Sequence, residues 1–189
     1  MRKLLGNLFI IVGTLLFVTG GFLVWERNSP KRVSFNTPPP PQKGSLIEGA
    51  SLVEGRPVLI KIPSINKELE IIPSEIVNNR WESTKKGVSY LSTSPIPGEL
   101  GNSIIYGHNY PNLLKDLTKV KVGDEIAIVF ENGGEKIFEV RFTQEVGPNQ
   151  SSILNPTEDK RITLYTCSGF FDSKRFVVTA FLNPFTPRM

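Results

Sequence analysis

Cysteine and histidine are nearly absent from this chain of 189 residues, which has one of each. One cysteine cannot form an intramolecular disulfide, and one cysteine with one histidine cannot supply the four ligands of a structural zinc site. Basic residues barely exceed acidic ones, at 22 against 18, and no basic patch is interleaved with aromatic residues. Nucleic acid is therefore not expected as a partner.

Long apolar runs are also scarce, and only one of them is long enough to cross a membrane. Residues 4–25 carry no charge, and Arg2 and Lys3 precede them. About 20 apolar residues span a bilayer as a helix, so a polytopic membrane protein is excluded and one transmembrane anchor at 4–25 is predicted. The alternative is a cleaved signal peptide. Its apolar region is shorter and ends at a small-x-small site, which Phe22–Trp25 does not provide.

Basic residues flank both ends of this anchor, so the positive-inside rule does not decide its orientation. The orientation is predicted instead from the short N-terminal tail and the folded domain that follows the anchor. A tail of residues 1–3 in the cytoplasm and a folded domain on the extracytoplasmic face are expected. This arrangement predicts a single-pass protein of the plasma membrane. Residues 26–54 lack apolar periodicity and contain Pro38–Pro41, so they are expected to form a Pro-rich linker that acts as a spacer.

Residues 55–183 alternate short β-branched runs with turns, which predicts an all-β domain, followed by a tail at 184–189. Asn132-Gly133 is typical of a hairpin turn, and Pro111–Leu117 is expected to form one or two helical turns. Seven or eight strands in this length indicate a small antiparallel barrel or sandwich with short helices. Predicted strands are Pro57–Ile62, Leu69–Ile72, Ser103–Tyr106, Glu125–Phe130, Lys136–Val146, Arg161–Thr166 and Arg175–Leu182.

Three residues that carry chemistry stand at predicted strand ends. His108 follows one strand, Cys167 ends another, and Arg175 opens the next. Thiol catalysis needs a nucleophile, a proton-transfer partner and a donor to the developing oxyanion, and these residue types fit the three roles. Each residue could also lack a catalytic role. Cys167 could be a small buried side chain, His108 a solvated loop residue and Arg175 an ordinary surface residue. Spacing alone does not show that the three meet.

The segment Thr163-Leu164-Tyr165-Thr166-Cys167 matches the TLxTC signature of sortases, the cysteine transpeptidases of bacterial surfaces. Gly107-His108 and the strand that begins Arg175-Phe176-Val177-Val178 resemble the histidine and arginine motifs of that family, in the same order. The resemblance covers residues 57–182 and implies a small closed antiparallel β-barrel of seven to eight strands.

The resemblance also implies a role for each site residue. Cys167 would form a thioester with an LPxTG-type sorting signal, His108 would move protons, and Arg175 would hold the substrate or the oxyanion. Three neighbours of the cysteine would contact the substrate, namely Tyr165, Thr166 and Ser168. The loop at residues 147–160 is expected to determine specificity.

The implied partners are surface proteins with a C-terminal sorting motif and an amine acceptor, either a wall precursor or a protein. No cofactor is expected, although calcium activation stays open because the acidic residues in turns map onto no site. The chain also departs from many pilin-type sortases, because no proline follows soon after Cys167. Two absences argue against a pilus polymerase: a long Asp-Pro-bearing lid and a second transmembrane span.

Two other enzyme classes and one non-enzyme class compete with this interpretation. L,D-transpeptidases place a glycine before the cysteine, whereas Ser168-Gly169 follow it here, and papain-like proteases place the cysteine before the histidine. A membrane-anchored β-barrel binding module without turnover is the non-enzyme alternative.

Overall fold

The computed structural model describes residues 2–27, 33–40, 55–78 and 80–184. Its one long helix, α1, spans Arg2–Arg27. Within it, Gly6–Trp25 is long and apolar enough to cross a membrane, and none of this stretch is buried in the protein. The hydroxyl groups of Thr14 and Thr19 donate to carbonyls one turn earlier, so the helix itself satisfies them.

The described residues form ten β-strands, of which eight close into a barrel in the order β1-β2-β5-β6-β9-β10-β8-β7. The two short strands β3 and β4 pair with each other outside the barrel. The strands are β1 Pro57–Ile62, β2 Lys67–Ser74, β3 Ile76–Val77, β4 Arg80–Trp81, β5 Val88–Leu91, β6 Gly101–Gly107, β7 Glu125–Phe130, β8 Glu135–Val146, β9 Lys160–Ser168 and β10 Lys174–Leu182.

The predicted closed barrel is confirmed, but it is mixed rather than wholly antiparallel. Strand β2 runs parallel to β5, and β6 runs parallel to β9. Parallel neighbours need a crossover, and β7 and β8 lie in the chain between β6 and β9. Local alternation of apolar residues carries no information on strand direction, so the sequence pattern could not predict this.

Two local predictions also have clear outcomes. Gly133 adopts φ +83° in the turn between β7 and β8, where the amide of Gly134 donates to Asn132 Oδ1, which confirms the hairpin. The predicted helical turns at Pro111–Leu117 are present as turns at 111–114 that continue into a 3₁₀ helix at Lys115–Lys119.

The strands have two buried faces, and these divide the core. Inward side chains such as Ile105, Leu164 and Val178 belong to the barrel core. The opposite face of β6, β9 and β10 is covered by other parts of the chain and forms a second cluster, the outer cluster. Its members are Val33, Phe35, Trp81, Leu91, Ile104, Tyr106, Val146, Leu154, Tyr165, Cys167 and Val177. The candidate site lies at one end of this outer face.

Candidate active site

Strand register brings the three predicted site residues to one rim of the barrel. Arg175 on β10 is the direct antiparallel partner of Cys167 on β9. The last parallel pair between β6 and β9 joins Gly107 to Thr166, and the next residues along are His108 and Cys167. Adjacent strands lie about 4.8 Å apart, so the histidine, cysteine and arginine follow one another around the rim.

The side chains at this rim belong to the outer face. Tyr106 and Tyr165 stack on that face with ring centroids 5.5 Å apart. His108 and Cys167 lie two residues further along the same strand directions, and the period of two in a strand returns them to the same side. Cys167 forms no disulfide and is only 3% exposed.

His108 is held by contacts from two loops. Its Nε2 atom lies 3.1 Å from Ser83 Oγ, and its ring stacks on Tyr110 at a centroid distance of 4.9 Å. Burial, and then the charge of Lys85, lower the pKa of His108 below its ordinary value, while the carboxylate of Asp172 opposes this shift. A lowered pKa favours the neutral imidazole, the form that can accept a proton.

Arg175 is buried and has a fixed orientation. Its Nη1 atom donates to the carbonyls of Asp172 and Lys174, each at 2.9 Å, and Nη2 donates to the carbonyl of Ser34 at 2.8 Å. Among the described residues, its buried Nε has no hydrogen-bond partner. The guanidinium is therefore a charged group with a fixed position beside Cys167, and its planar set of donors suits an anionic or carbonyl oxygen.

The connection between β9 and β10 carries backbone strain. Phe171 and Asp172 have φ values of +51° and +56°, a region uncommon for residues other than glycine. Asn109, which follows the histidine, donates from Nδ2 to Asp172 Oδ1 at 2.8 Å. This bond ties the histidine loop to the turn that supports Arg175, and strain of this kind clusters at functional sites.

The three residues expected to contact substrate do not share one face. Tyr165 lies in the outer cluster, on the outer face around Trp81, Tyr165 and Cys167, which we call the groove. Thr166 points inward, where its hydroxyl donates to the carbonyl of Gly107 at 2.8 Å. Ser168 is buried, and its position two residues after Thr166 in β9 places it on the same inward side. Thr166 thus joins β6 to β9 beside the site rather than lining the groove.

The sequence analysis missed the segment Val33–Asn36, which we call the strap. Val33 and Phe35 are buried in the outer cluster, although the sequence analysis assigned them to a spacer. Their alternation around Ser34 was the only local signal. The contact between Ser34 and Arg175 joins residues 141 positions apart, which no local pattern reveals. Trp81 and Ser83 were missed for the same reason.

Metal ligation finds no support in the described part of the chain, where no group of three or more His, Cys, Asp or Glu side chains could hold an ion. Several of the acidic side chains in turns are paired with cations instead: Glu131 with Arg56, and Asp159 with Arg161.

Comparison with known proteins gives a consistent result. The sortase domain family model matches residues 60–183. The sortase A of Listeria monocytogenes is 25% identical over 97% of this chain and 92% of its own length. Among solved structures, the sortase D5 transpeptidase of Clostridium perfringens is 25% identical with a TM-score of 0.59, covering 70% of this chain and 84% of that one.

Sortase C1 of Streptococcus agalactiae is a second structural neighbour, 25% identical with a TM-score of 0.58, and the match covers 67% of each chain. The family model spans the barrel from β1 to β10, including the rim where the histidine, cysteine and arginine converge. Sequence signature, barrel and rim agree, and this chain belongs to the sortase family, whose members are cysteine transpeptidases.

Proposed function

We propose that this chain is a membrane-anchored transpeptidase that cleaves an LPxTG-type sorting signal and transfers the acyl part to an amine. The observation that carries the proposal is the convergence of His108, Cys167 and Arg175 on the outer face of β6, β9 and β10. A nucleophile, a proton carrier and a fixed cationic donor at one rim are the set that acyl transfer through a thiol requires.

In the first half-reaction, Cys167 gives its proton to His108 and its sulfur attacks the scissile carbonyl carbon. The carbonyl oxygen becomes an oxyanion, which accepts hydrogen bonds from the guanidinium of Arg175. As the carbon–nitrogen bond breaks, the imidazolium returns its proton to the leaving amine. The product is a thioester on Cys167 and a free C-terminal peptide.

In the second half-reaction, an amine attacks the thioester and His108 takes a proton from it. The carbon–sulfur bond then breaks as the new amide forms, and the imidazolium returns its proton to the leaving thiolate, which restores the thiol. The depressed pKa of His108 favours this step, because a neutral imidazole is available as the base at neutral pH.

An open cleft of about 790 Å³ offers the amine a route to the site. Its lining includes Trp81, Glu82 and Ser83, and the Ser83 hydroxyl contacts His108. The carboxylate of Glu82 would attract a protonated amine. Ser83 lines the cleft and contacts His108, so the cleft ends beside the proposed base. This arrangement supports an acceptor that enters from the side of β3 and β4.

The proposal places the barrel on the extracytoplasmic face of the plasma membrane. Helix α1 crosses the bilayer at 4–25, residues 1–3 stay in the cytoplasm, and 26–54 link the anchor to the barrel at 55–183. The exposed apolar surface of Gly6–Trp25 supports this arrangement. The partners are surface proteins with a C-terminal sorting motif, and a wall precursor or a protein as the amine. No cofactor takes part.

The test uses the full chain in detergent with a fluorogenic LPxTG peptide, with and without triglycine. We expect cleavage, a triglycine-linked product, and an acyl adduct on Cys167 by intact mass. Cys167→Ala and His108→Ala should abolish all three, and EDTA should change none of them. A folded wild-type protein that forms no adduct with a panel of sorting-signal peptides would contradict the proposal and leave a binding module.

A further inference from the structure

The segment between β4 and β5 brings a hydroxyl group to the histidine. Ser83 is half-buried, and its Oγ atom lies 3.1 Å from Nε2 of His108. A hydroxyl can donate to an imidazole nitrogen or accept from it, so the distance alone gives no direction for this bond. The bond does occupy Nε2, and Nδ1 is the ring nitrogen that Ser83 leaves for other partners.

The residues directly before Ser83 are anchored on both sides. The amide of Glu82 donates to the carbonyl of Glu75 at 3.1 Å, and the carbonyl of Glu82 accepts from the phenol of Tyr106. Trp81 is 1% exposed, and its ring lies edge-on to that of Tyr106 at a centroid distance of 5.3 Å. Ser83 therefore follows a fixed point of the backbone, which limits the positions that its hydroxyl can reach.

Tyr106 joins this segment to the strand that leads to the histidine. It lies on β6, two residues before His108, and burial raises the pKa of its phenol to about 12. The phenol keeps its proton at neutral pH and donates it to the carbonyl of Glu82, which can only accept. The hydroxyl of Ser74, at the end of β2, lies 2.9 Å from the same phenol oxygen. One phenol thus connects β2, β6 and the segment that carries Ser83.

We propose that Ser83 and Tyr106 are positioning residues, which hold His108 with its proton on Nε2 and leave Nδ1 to exchange protons with the reacting groups. The inference rests on the proposed function, which requires two proton transfers beside the sulfur of Cys167, one from the thiol and one from the attacking amine. A base is unprotonated at the nitrogen that it uses, and Nε2 is occupied by Ser83. The neutral ring then carries its proton on Nε2, and the hydroxyl of Ser83 accepts a hydrogen bond from it.

This arrangement needs no reorientation of the ring during the reaction. When Nδ1 takes up a proton, the imidazolium has two N–H donors, and Ser83 continues to accept from Nε2. The stack of His108 on Tyr110 restricts the tilt of the ring but permits rotation within its plane. The bond to Ser83 removes that remaining freedom. A base that is oriented by a third group is the usual arrangement in nucleophilic catalysis.

The first experiment follows the ring of His108 by ¹⁵N NMR in the full chain in detergent, where a single histidine needs no assignment. Above the histidine pKa, we expect a protonated Nε2 and an unprotonated Nδ1, which differ in ¹⁵N chemical shift. In Ser83→Ala the Nε2 proton should exchange with water at least about fivefold faster, because one hydrogen bond is lost. Ser83→Thr keeps the hydroxyl and should restore the wild-type rate. A proton on Nδ1 in the wild type, or an unchanged rate in Ser83→Ala, would overturn the inference.

The second experiment separates positioning from stability. Tyr106→Phe removes the donor that holds the carbonyl of Glu82, so the Nε2 proton should exchange faster than in the wild type although Ser83 is present. Tyr90→Phe is the matched control, because it removes a buried phenol that donates to the carbonyl of Ser94 at 2.7 Å. Both variants lose a buried hydrogen bond, but only Tyr106→Phe should change the histidine. Equal changes in the two variants would contradict a positioning role for Tyr106.

Turnover then separates this inference from the proposed function. If both hold, Ser83→Ala lowers kcat for the sorting peptide about tenfold with little change in KM, and Ser83→Thr recovers it. Ser92→Ala, which removes a half-buried hydroxyl directly after β5, should turn over like the wild type. The expected NMR results without turnover in any variant would retain the positioning residues and refute the transpeptidase. Wild-type turnover and wild-type exchange in Ser83→Ala would retain the transpeptidase and refute the positioning role.

Discussion

At the scale of single residues, the pKa of His108 depends in part on Asp172, which the sequence analysis did not single out. Asp172 accepts a hydrogen bond from Asn109 and raises the pKa of His108 against the opposite effects of burial and Lys85. A carboxylate near the imidazole stabilises its charged form. Asp172 is therefore expected to make proton uptake by the buried imidazole of His108 easier.

Replacing that carboxylate should lower the histidine pKa further. In Asp172→Asn the imidazolium loses a nearby negative charge, so its pKa falls and the neutral form persists to lower pH. The chain has one histidine, so its imidazole signals in an NMR titration need no assignment. Asp116→Asn, which removes the partner of Lys119, is the control and should leave the titration unchanged. An equal or higher pKa in Asp172→Asn would contradict this role.

Arg175→Lys should reduce kcat/KM by about a hundredfold or more while the barrel stays folded. Arg175 makes three main-chain hydrogen bonds from two nitrogens, and its buried Nε has no partner among the described residues, a geometry that one ammonium group cannot reproduce. Steady-state kinetics with the fluorogenic peptide measures the loss. Turnover near the wild-type value would remove Arg175 from the catalytic set.

At the scale of elements, a hydroxyl group joins the two parallel strands that carry the histidine and the cysteine. Thr166→Val removes the buried bond to the carbonyl of Gly107 and should lower the free energy of unfolding by about 1–3 kcal/mol. Urea denaturation measures the change. Thr143→Val on β8 is the matched control, at a half-buried position of the barrel. A loss in Thr143→Val as large as that in Thr166→Val would show that the hydrogen bond is not the cause.

The elements also show how far the sequence could predict this structure. Strands with alternating burial, such as β8, were recognised because buried apolar Phe138 and Val140 alternate with charged Glu139 and Arg141. Strand β5 was missed because all four of its residues are buried, which removes the alternation. The rim residues were found through a local signature. The strap was not, because its partners lie more than 40 residues away and its apolar content is two side chains.

At the scale of the whole molecule, the barrel should fold without the residues that precede it. The barrel core consists of residues between Ile60 and Ala180, so a chain that lacks 1–54 should retain a cooperative thermal transition. Removal of 1–32 or of 1–54 also deletes Trp25 and leaves Trp81 as the sole tryptophan. Trp81 emission should be red-shifted without the strap, in 55–189, relative to 33–189. Identical spectra would mean that the strap does not cover the groove in solution.

The position of the strap in the chain also limits how far the barrel can lie from the end of α1. Arg27 ends α1, and Val33 is six Cα steps later, so a docked strap lies within about 22 Å of the helix end. With the strap released, the thirty steps from Arg27 to Pro57 can extend to about 100 Å. In the proposed membrane-anchored arrangement, a docked strap keeps the barrel close to the lipid surface. Release of the strap would lengthen this tether and let the barrel reach acceptors farther from the membrane.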